Sequence, residues 1–220
     1  VFSDYMKPTL RLASMMHLPS LFIFSHDSVA VGEDGPTHEP IEQLVGLRTI
    51  PNLNVIRPAD GVESKAAMEI ALNTKNQPTA IITSRQNVLN LSTSSKEGVL
   101  KGAYIVGKEE NKLDGILLAA GSEVQLALEA KSLLKEKGYD IRVVSMPSHD
   151  AFLKQDASYQ QSILPKGVKT LAVEMGSSYS WYRFTPHVFG IDEFGISASQ
   201  NKVISHFGFT KEIVAEKFAK

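Results

Sequence analysis

The sequence predicts an α/β protein of two domains with mostly parallel sheets, and two features carry that expectation. Short runs rich in Ile, Val and Leu recur along the 220 residues: SLFIF (20–24), LNVI (53–56), TAIIT (79–83), GAYIV (102–106), GILLAA (115–120), IRVVSM (141–146) and TLAVE (170–174). Continuous apolar runs of that length are the pattern of parallel strands covered on both faces. Stretches of helical period lie between them, and strands alternating with helices imply right-handed crossovers.

Taken in order, SLFIF ends abruptly in the loop HDSVAVGEDGPTHEP, residues 26–40. After LNVI, the segment Asp60-Gly61-Val62-Glu63 has the spacing of a capping box, with Asp60 as N-cap and Glu63 reaching back. Val62, Ala66 and Ile70 then recur at four-residue steps along one helical face. TAIIT runs into Ser84-Arg85-Gln86-Asn87. Residues 90–101, NLSTSSKEGVLK, are polar, serine-rich and weakly periodic, the composition of an interdomain linker. That places one domain at 1–95 and another at 96–220. The first has three strands, too few to complete its sheet. The second has four or five, enough for a whole small domain. In the second, Ser122 is placed to cap a helix with Val124, Ala127, Ala130 and Leu134 inward, stopped by Gly138. A complete pattern beyond the linker predicts that residues 103–220 fold without residues 1–90.

Composition excludes several classes of function. A hydrophobic fraction of 43% and a charged fraction of 21% are ordinary for a globular protein. A chain of this length can bury a core without a metal or disulfide staple. The net charge of −1, without acidic or basic blocks, leaves no nucleic-acid footprint and no basic patch for an anionic membrane. With no cysteine there is no disulfide, thiolate catalysis or cysteine metal site, which fits a reducing, cytoplasmic setting. The apolar runs are far too short to span a bilayer. A start at Val1, without a signal-peptide pattern, suggests a fragment beginning in mid-element.

In open parallel sheets, ligand sites form beyond the carboxyl ends of the strands. The 26–40 loop sits there and holds two histidines, two aspartates and two glutamates. Arg85 follows another strand. If the two strands share a sheet, Arg85, His26 and His38 can face one crevice and suit a phosphate or a polyhydroxylated substrate. The bland alternative is a solvated acidic turn. A metal site from His26, Asp34 and His38 is chemically possible, but the spacing matches neither a helical His-x-x-x-His pattern nor an EF-hand. Acidic side chains disqualify Gly32-Glu33-Asp34-Gly35 as a phosphate cradle. Gly121-Ser122-Glu123 is taken as a plain helix cap rather than an anion site. His17, His149, His187 and His206 are taken as surface or packing residues, and Trp181–Phe184 as an aromatic cluster.

HDSVAVGEDGPTHEPIEQL closely resembles the signature loop in the pyrimidine-binding domain of the transketolase family. RPADG (57–61), SRQN (84–87), AAGSEV (119–124), VVSMPS (143–148), VEMGSS (173–178), GIDEFG (190–195) and FGFT (207–210) resemble further segments of that family, in the same order. The resemblance implies a partial thiamine-diphosphate-binding pyrimidine fold over 1–95 and a transketolase C-terminal domain over 96–220. It implies transfer of a two-carbon ketol unit from a ketose phosphate to an aldose phosphate, in a homodimer using thiamine diphosphate and magnesium. Phe2 and Tyr5 match aromatics lining the aminopyrimidine pocket. His38 matches a histidine beside the reacting carbonyl and hydroxyls, suited to acid–base work. Asp34 matches an aspartate that hydrogen-bonds a substrate hydroxyl, and His26 and Arg85 match groups on the distal phosphate. The diphosphate and metal ligands of the family, and its activating glutamate, match nothing here. These 220 residues are therefore expected to be inactive by themselves, with no metal ligand of their own. Rival expectations are a dihydroxyacetone synthase, a deoxyxylulose-phosphate synthase, or a silent dimerisation or regulatory fragment.

Overall fold

The computed structural model describes residues 2–220. A tight turn at Phe2–Met6 leads into α1 (Lys7–Met15), where Pro8 occupies a first-turn position that needs no backbone donor. Strand β1 (Leu21–Phe24), helix α2 (Gln43–Arg48), strand β2 (Asn54–Ile56), helix α3 (Gly61–Asn73) and strand β3 (Thr79–Ile82) follow. The three strands form a parallel sheet in the order β1-β3-β2. β3 is buried along its whole length, as a central parallel strand should be. β1 departs from the expectation of two covered faces: Leu21 and Ile23, on one face of this edge strand, are exposed.

Helix α4 (Lys96–Leu100) precedes the second sheet. That sheet takes strands β4 (Tyr104–Gly107), β5 (Gly115–Ala119), β6 (Ile141–Ser145), β7 (Thr170–Val173) and β8 (His187–Phe189) in the order β4-β6-β5-β7-β8. β4 runs antiparallel to β6, and the other pairs are parallel. Helices α5 (Glu123–Glu136), α6 (His149–Leu153), α7 (Ala157–Ile163), α8 (Gln200–His206) and α9 (Lys211–Ala219) complete the chain. Val124, Ala127, Ala130 and Leu134 are fully buried on α5, and Gly138, at φ +86°, ends it.

Two caps differ from expectation. The Asp60 carboxylate accepts from Glu63 N at 2.9 Å, but Glu63 reaches past the cap to Ala59 N at 2.7 Å. Ser122 holds the N-cap position of α5, but its side chain makes no capping hydrogen bond. Its backbone is already helical, and its hydroxyl accepts from Gln86 Nε2 at 2.9 Å.

The serine-rich stretch 90–101 is not a loose tether. Ser95 caps α4, while Leu91 N and Ser94 Oγ both donate to Asp60 Oδ2. The two sheets also share one apolar core, in which Val29, Ile56 and Ala66 join Val99, Tyr104, Leu117 and Val173. Glu63 is buried in that seam and accepts from Tyr104 Oη (2.7 Å) and Ser145 Oγ (2.6 Å). Burial still pushes its carboxyl above the ordinary range, against those hydrogen bonds. So extensive a seam argues against independent folding of residues 103–220.

Candidate functional site

Beyond Phe24 the chain turns at His26, which sits at φ +65°. For a non-glycine residue that conformation costs on the order of 1 kcal/mol or more and needs support from its surroundings. Support comes at once, because Asp27 and Ser28 are buried and Val29–Val31 form a buried turn capped by Ser28. Gly32 (φ +84°) and Gly35 (φ +72°) then fold the loop back twice, a path open to glycine. Glu33, Asp34, Thr37 and His38 stay exposed, while Glu39 and Pro40 return to the interior. The loop is thus alternately anchored and presented.

Three of the predicted residues come together. The Phe2 ring meets His26 at 6.0 Å and His38 at 6.2 Å between centroids, edge-on in both cases. Phe2 is 44% exposed and lies over a pocket lined by Ser25, His26, Pro40, Gln43 and Leu44. His26 Nδ1 lies 2.8 Å from Ser25 Oγ, and His38 Nδ1 lies 2.8 Å from Thr37 Oγ1. Each neighbouring hydroxyl fixes a ring and leaves Nε2 for other chemistry. Arg85 is exposed on the loop after β3, and that loop adjoins the histidine loop because Thr83 N donates to Phe24 O at 2.8 Å. Asp34 stands exposed at the tip. Tyr5, on the same turn as Phe2, is 80% exposed and, among the described residues, meets no other ring.

Sequence reasoning missed Arg57. It is fully buried at the end of β2, its Nε donating to Asp27 Oδ2 (2.8 Å), its Nη1 to Ala120 O (3.0 Å) and its Nη2 to Glu123 Oε1 (3.1 Å), with Nη1 also ion-paired to Glu123 Oε2 at 2.6 Å. Glu174 lies 3.3 Å away and is itself gripped by Arg48 (2.7 and 2.9 Å) and Trp181 Nε1 (2.7 Å). Burial works against the Glu174 carboxylate, but Arg48, Arg57 and Trp181 outweigh it and hold the group below its ordinary value. Burial wins at Glu123, whose carboxyl rises despite Arg57. Gly121 makes room for the guanidinium: at φ +62°, a Cβ there would fall 2.7 Å from Arg57 Cζ. The Gly121-Ser122-Glu123 turn is therefore an arginine socket, not a plain helix cap. One cue existed: RPADG placed an arginine at the end of an apolar strand. Its partners lie far away in sequence.

The pyrimidine-binding domain model of transketolases matches residues 1–90, and the model of the transketolase-like C-terminal domain matches residues 102–210. The chain belongs to the transketolase family. It is 52% identical over 224 residues to the transketolase of Staphylococcus epidermidis ATCC 12228, covering 99% of this chain and 34% of that protein. It is 50% identical over 218 residues to the Bacillus subtilis transketolase, covering 96% of this chain and 33% of that one. A crystal structure of Pichia stipitis transketolase in complex with sedoheptulose-7-phosphate superimposes with a TM-score of 0.96 at 40% identity, over 99% of this chain and 32% of that one. The chain thus spans about a third of the length of the transketolases it matches.

Transketolases depend on thiamine diphosphate. Among the described residues no group of three His, Cys, Asp or Glu is arranged to hold a metal ion. No described helix is long and apolar enough to cross a membrane.

Proposed function

We propose that these residues supply the substrate-reading side of a transketolase active site, which moves a two-carbon ketol unit from a ketose phosphate to an aldose phosphate in the pentose phosphate pathway. The observation that carries this reading is the group formed by Phe2, His26 and His38, with Arg85 on the adjoining loop. The sugar phosphate bound by the Pichia stipitis protein supports it.

An exposed aromatic face over a small apolar pocket suits a flat heterocycle, so Phe2 and Tyr5 would hold the aminopyrimidine of thiamine diphosphate. When bound, that cofactor supplies the nucleophilic carbon and the electron sink. His38 moves a proton at the substrate carbonyl or its neighbouring hydroxyl. Asp34 accepts a hydrogen bond from a substrate hydroxyl. His26 and Arg85 donate to the distal phosphate. The ligands for magnesium and the diphosphate come from residues outside these 220, and the enzyme works as a cytoplasmic homodimer. Near residue 96 the pyrimidine domain gives way to the C-terminal domain.

Arg85→Ala in the intact protein tests the reading. A charge-assisted hydrogen bond is worth roughly 1.5–3 kcal/mol, so kcat/KM for a phosphorylated donor should fall about ten- to a hundredfold. The free sugar should lose far less. Equal losses for both overturn the assignment.

A further inference from the structure

The second domain closes on the loop that carries Asp34 and His38, through residues of the segment 195–200. Ser197 Oγ donates to the backbone oxygen of Glu33 at 2.8 Å. A Cβ on Gly35 would fall 3.0 Å from Ser197 Cβ, and one on Gly32 would fall 3.2 Å from Ala198 O and 3.1 Å from Gln200 N. Gly195 lies flat against Glu39, so that a Cβ there would overlap the carboxyl. Helix α8 packs on the Val29–Val31 turn of the same loop. The turn at 32–35 therefore rests on the second domain through backbone, side chain and bare glycine surfaces.

Glu33 and Asp34 are adjacent acidic residues on an exposed turn. Left to solvent, such a turn samples many conformations, and a ligand that needs Asp34 in one place must bear the cost of ordering it. A hydrogen bond to the carbonyl just before Asp34 removes part of that freedom in advance.

We propose that residues 195–198 are a positioning element for substrate recognition: Ser197, acting through Glu33, sets where Asp34 stands. The proposal rests on Asp34 reading a substrate hydroxyl. Ser197 is then a positioning residue supplied by the second domain, and its loss affects capture rather than the proton-transfer step.

The experiment is steady-state kinetics of the intact protein with a ketose phosphate donor. Ser197→Ala is expected to raise KM about three- to tenfold, the worth of one neutral hydrogen bond, with kcat within about twofold. Thiamine diphosphate affinity and Tm should be unchanged, and Ser197→Thr, which keeps the hydroxyl, should recover most of the loss. Asp34→Ala separates the two levels of the argument. If Asp34→Ala raises KM and Ser197→Ala does not, the positioning role is overturned while the substrate reading stands. If Asp34→Ala itself leaves KM unchanged, the substrate reading fails and takes the proposal with it. Ser197→Ala added to Asp34→Ala should raise KM no further; additive losses, or a parallel fall in Tm, kcat and thiamine diphosphate affinity, overturn action through Asp34.

Discussion

His26 and His38 flank the same phenylalanine ring, yet the proposed chemistry gives them different work. In that proposal a proton moves beside His38 as the carbon–carbon bond breaks, and a positioned acid–base group contributes about a hundred- to ten-thousandfold. His38→Ala should lower kcat strongly with a smaller change in KM. In the proposed reading His26 binds a phosphate that changes little during reaction, so His26→Ala should act mainly through KM. Kinetics of both variants at unchanged Tm decides the matter, and one shared kinetic pattern would remove the distinction. Glu39 offers a test that needs no substrate. Burial pushes its carboxyl up to about 7, and the amides of Ile196 and Gly32 draw it down without meeting full hydrogen-bond geometry. A glutamate in the unfolded chain titrates near 4.5, so between about 4.5 and about 7 the folded state holds the extra proton. Stability must then fall as pH rises through that window and level off above it. Glu39→Gln cannot ionise and should flatten that part of the Tm–pH curve. Parallel curves for the two proteins would show that Glu39 titrates normally.

Elements were legible where a pattern fills a whole run. Strands β5 and β6 are unbroken apolar stretches, and the inner face of α5 keeps its period over three turns, so both stand out in the sequence. Strand β8 is three residues, too short to show any period, and its first residue is exposed. Ser122 holds the N-cap position as expected, but the sequence does not show that its hydroxyl turns to Gln86 instead of capping. The 26–40 loop was legible as a candidate site because it combines titratable residues with the end of a strand. What holds it was not, since Ser197 lies 164 residues from its partner Glu33. Gly121 shows the same limit: a turn glycine in sequence, it is the wall of an arginine socket in the fold. Gly121→Ala must strain a left-handed backbone and push its methyl into the guanidinium, whose other sides are held by Asp27 and Glu123. A loss of roughly 2–4 kcal/mol is expected, comparable to disrupting a buried ion pair. Chemical denaturation measures it. A change within about 0.5 kcal/mol would mean that the socket relaxes freely.

At the scale of the whole molecule, the buried charges bind the two sheets more tightly than the sequence suggested. Arg48 and Arg57 belong to the first sheet's side, whereas Glu123 and Glu174 follow strands of the second. Cutting the chain before residue 103 would leave both glutamates facing a new surface or an apolar interior with no guanidinium. Removing one partner of a buried pair costs roughly 3–5 kcal/mol, and two such losses approach the whole stability of a typical domain, about 5–15 kcal/mol. The cut also opens the shared core at Val99, Tyr104 and Leu117, and takes from Tyr104 and Ser145 their common acceptor, Glu63. Water entering the cut face would soften the ionic loss but not the apolar one. Residues 103–220 expressed alone should therefore melt without a cooperative transition at neutral pH, whereas residues 1–220 should give one. Glu123→Gln with Glu174→Gln in the short segment should restore part of the cooperativity, because both side chains keep their shape and lose their charge. If the unmodified segment melts cooperatively at the temperature of the longer chain, the Arg57 cluster contributes nothing to holding the second domain together.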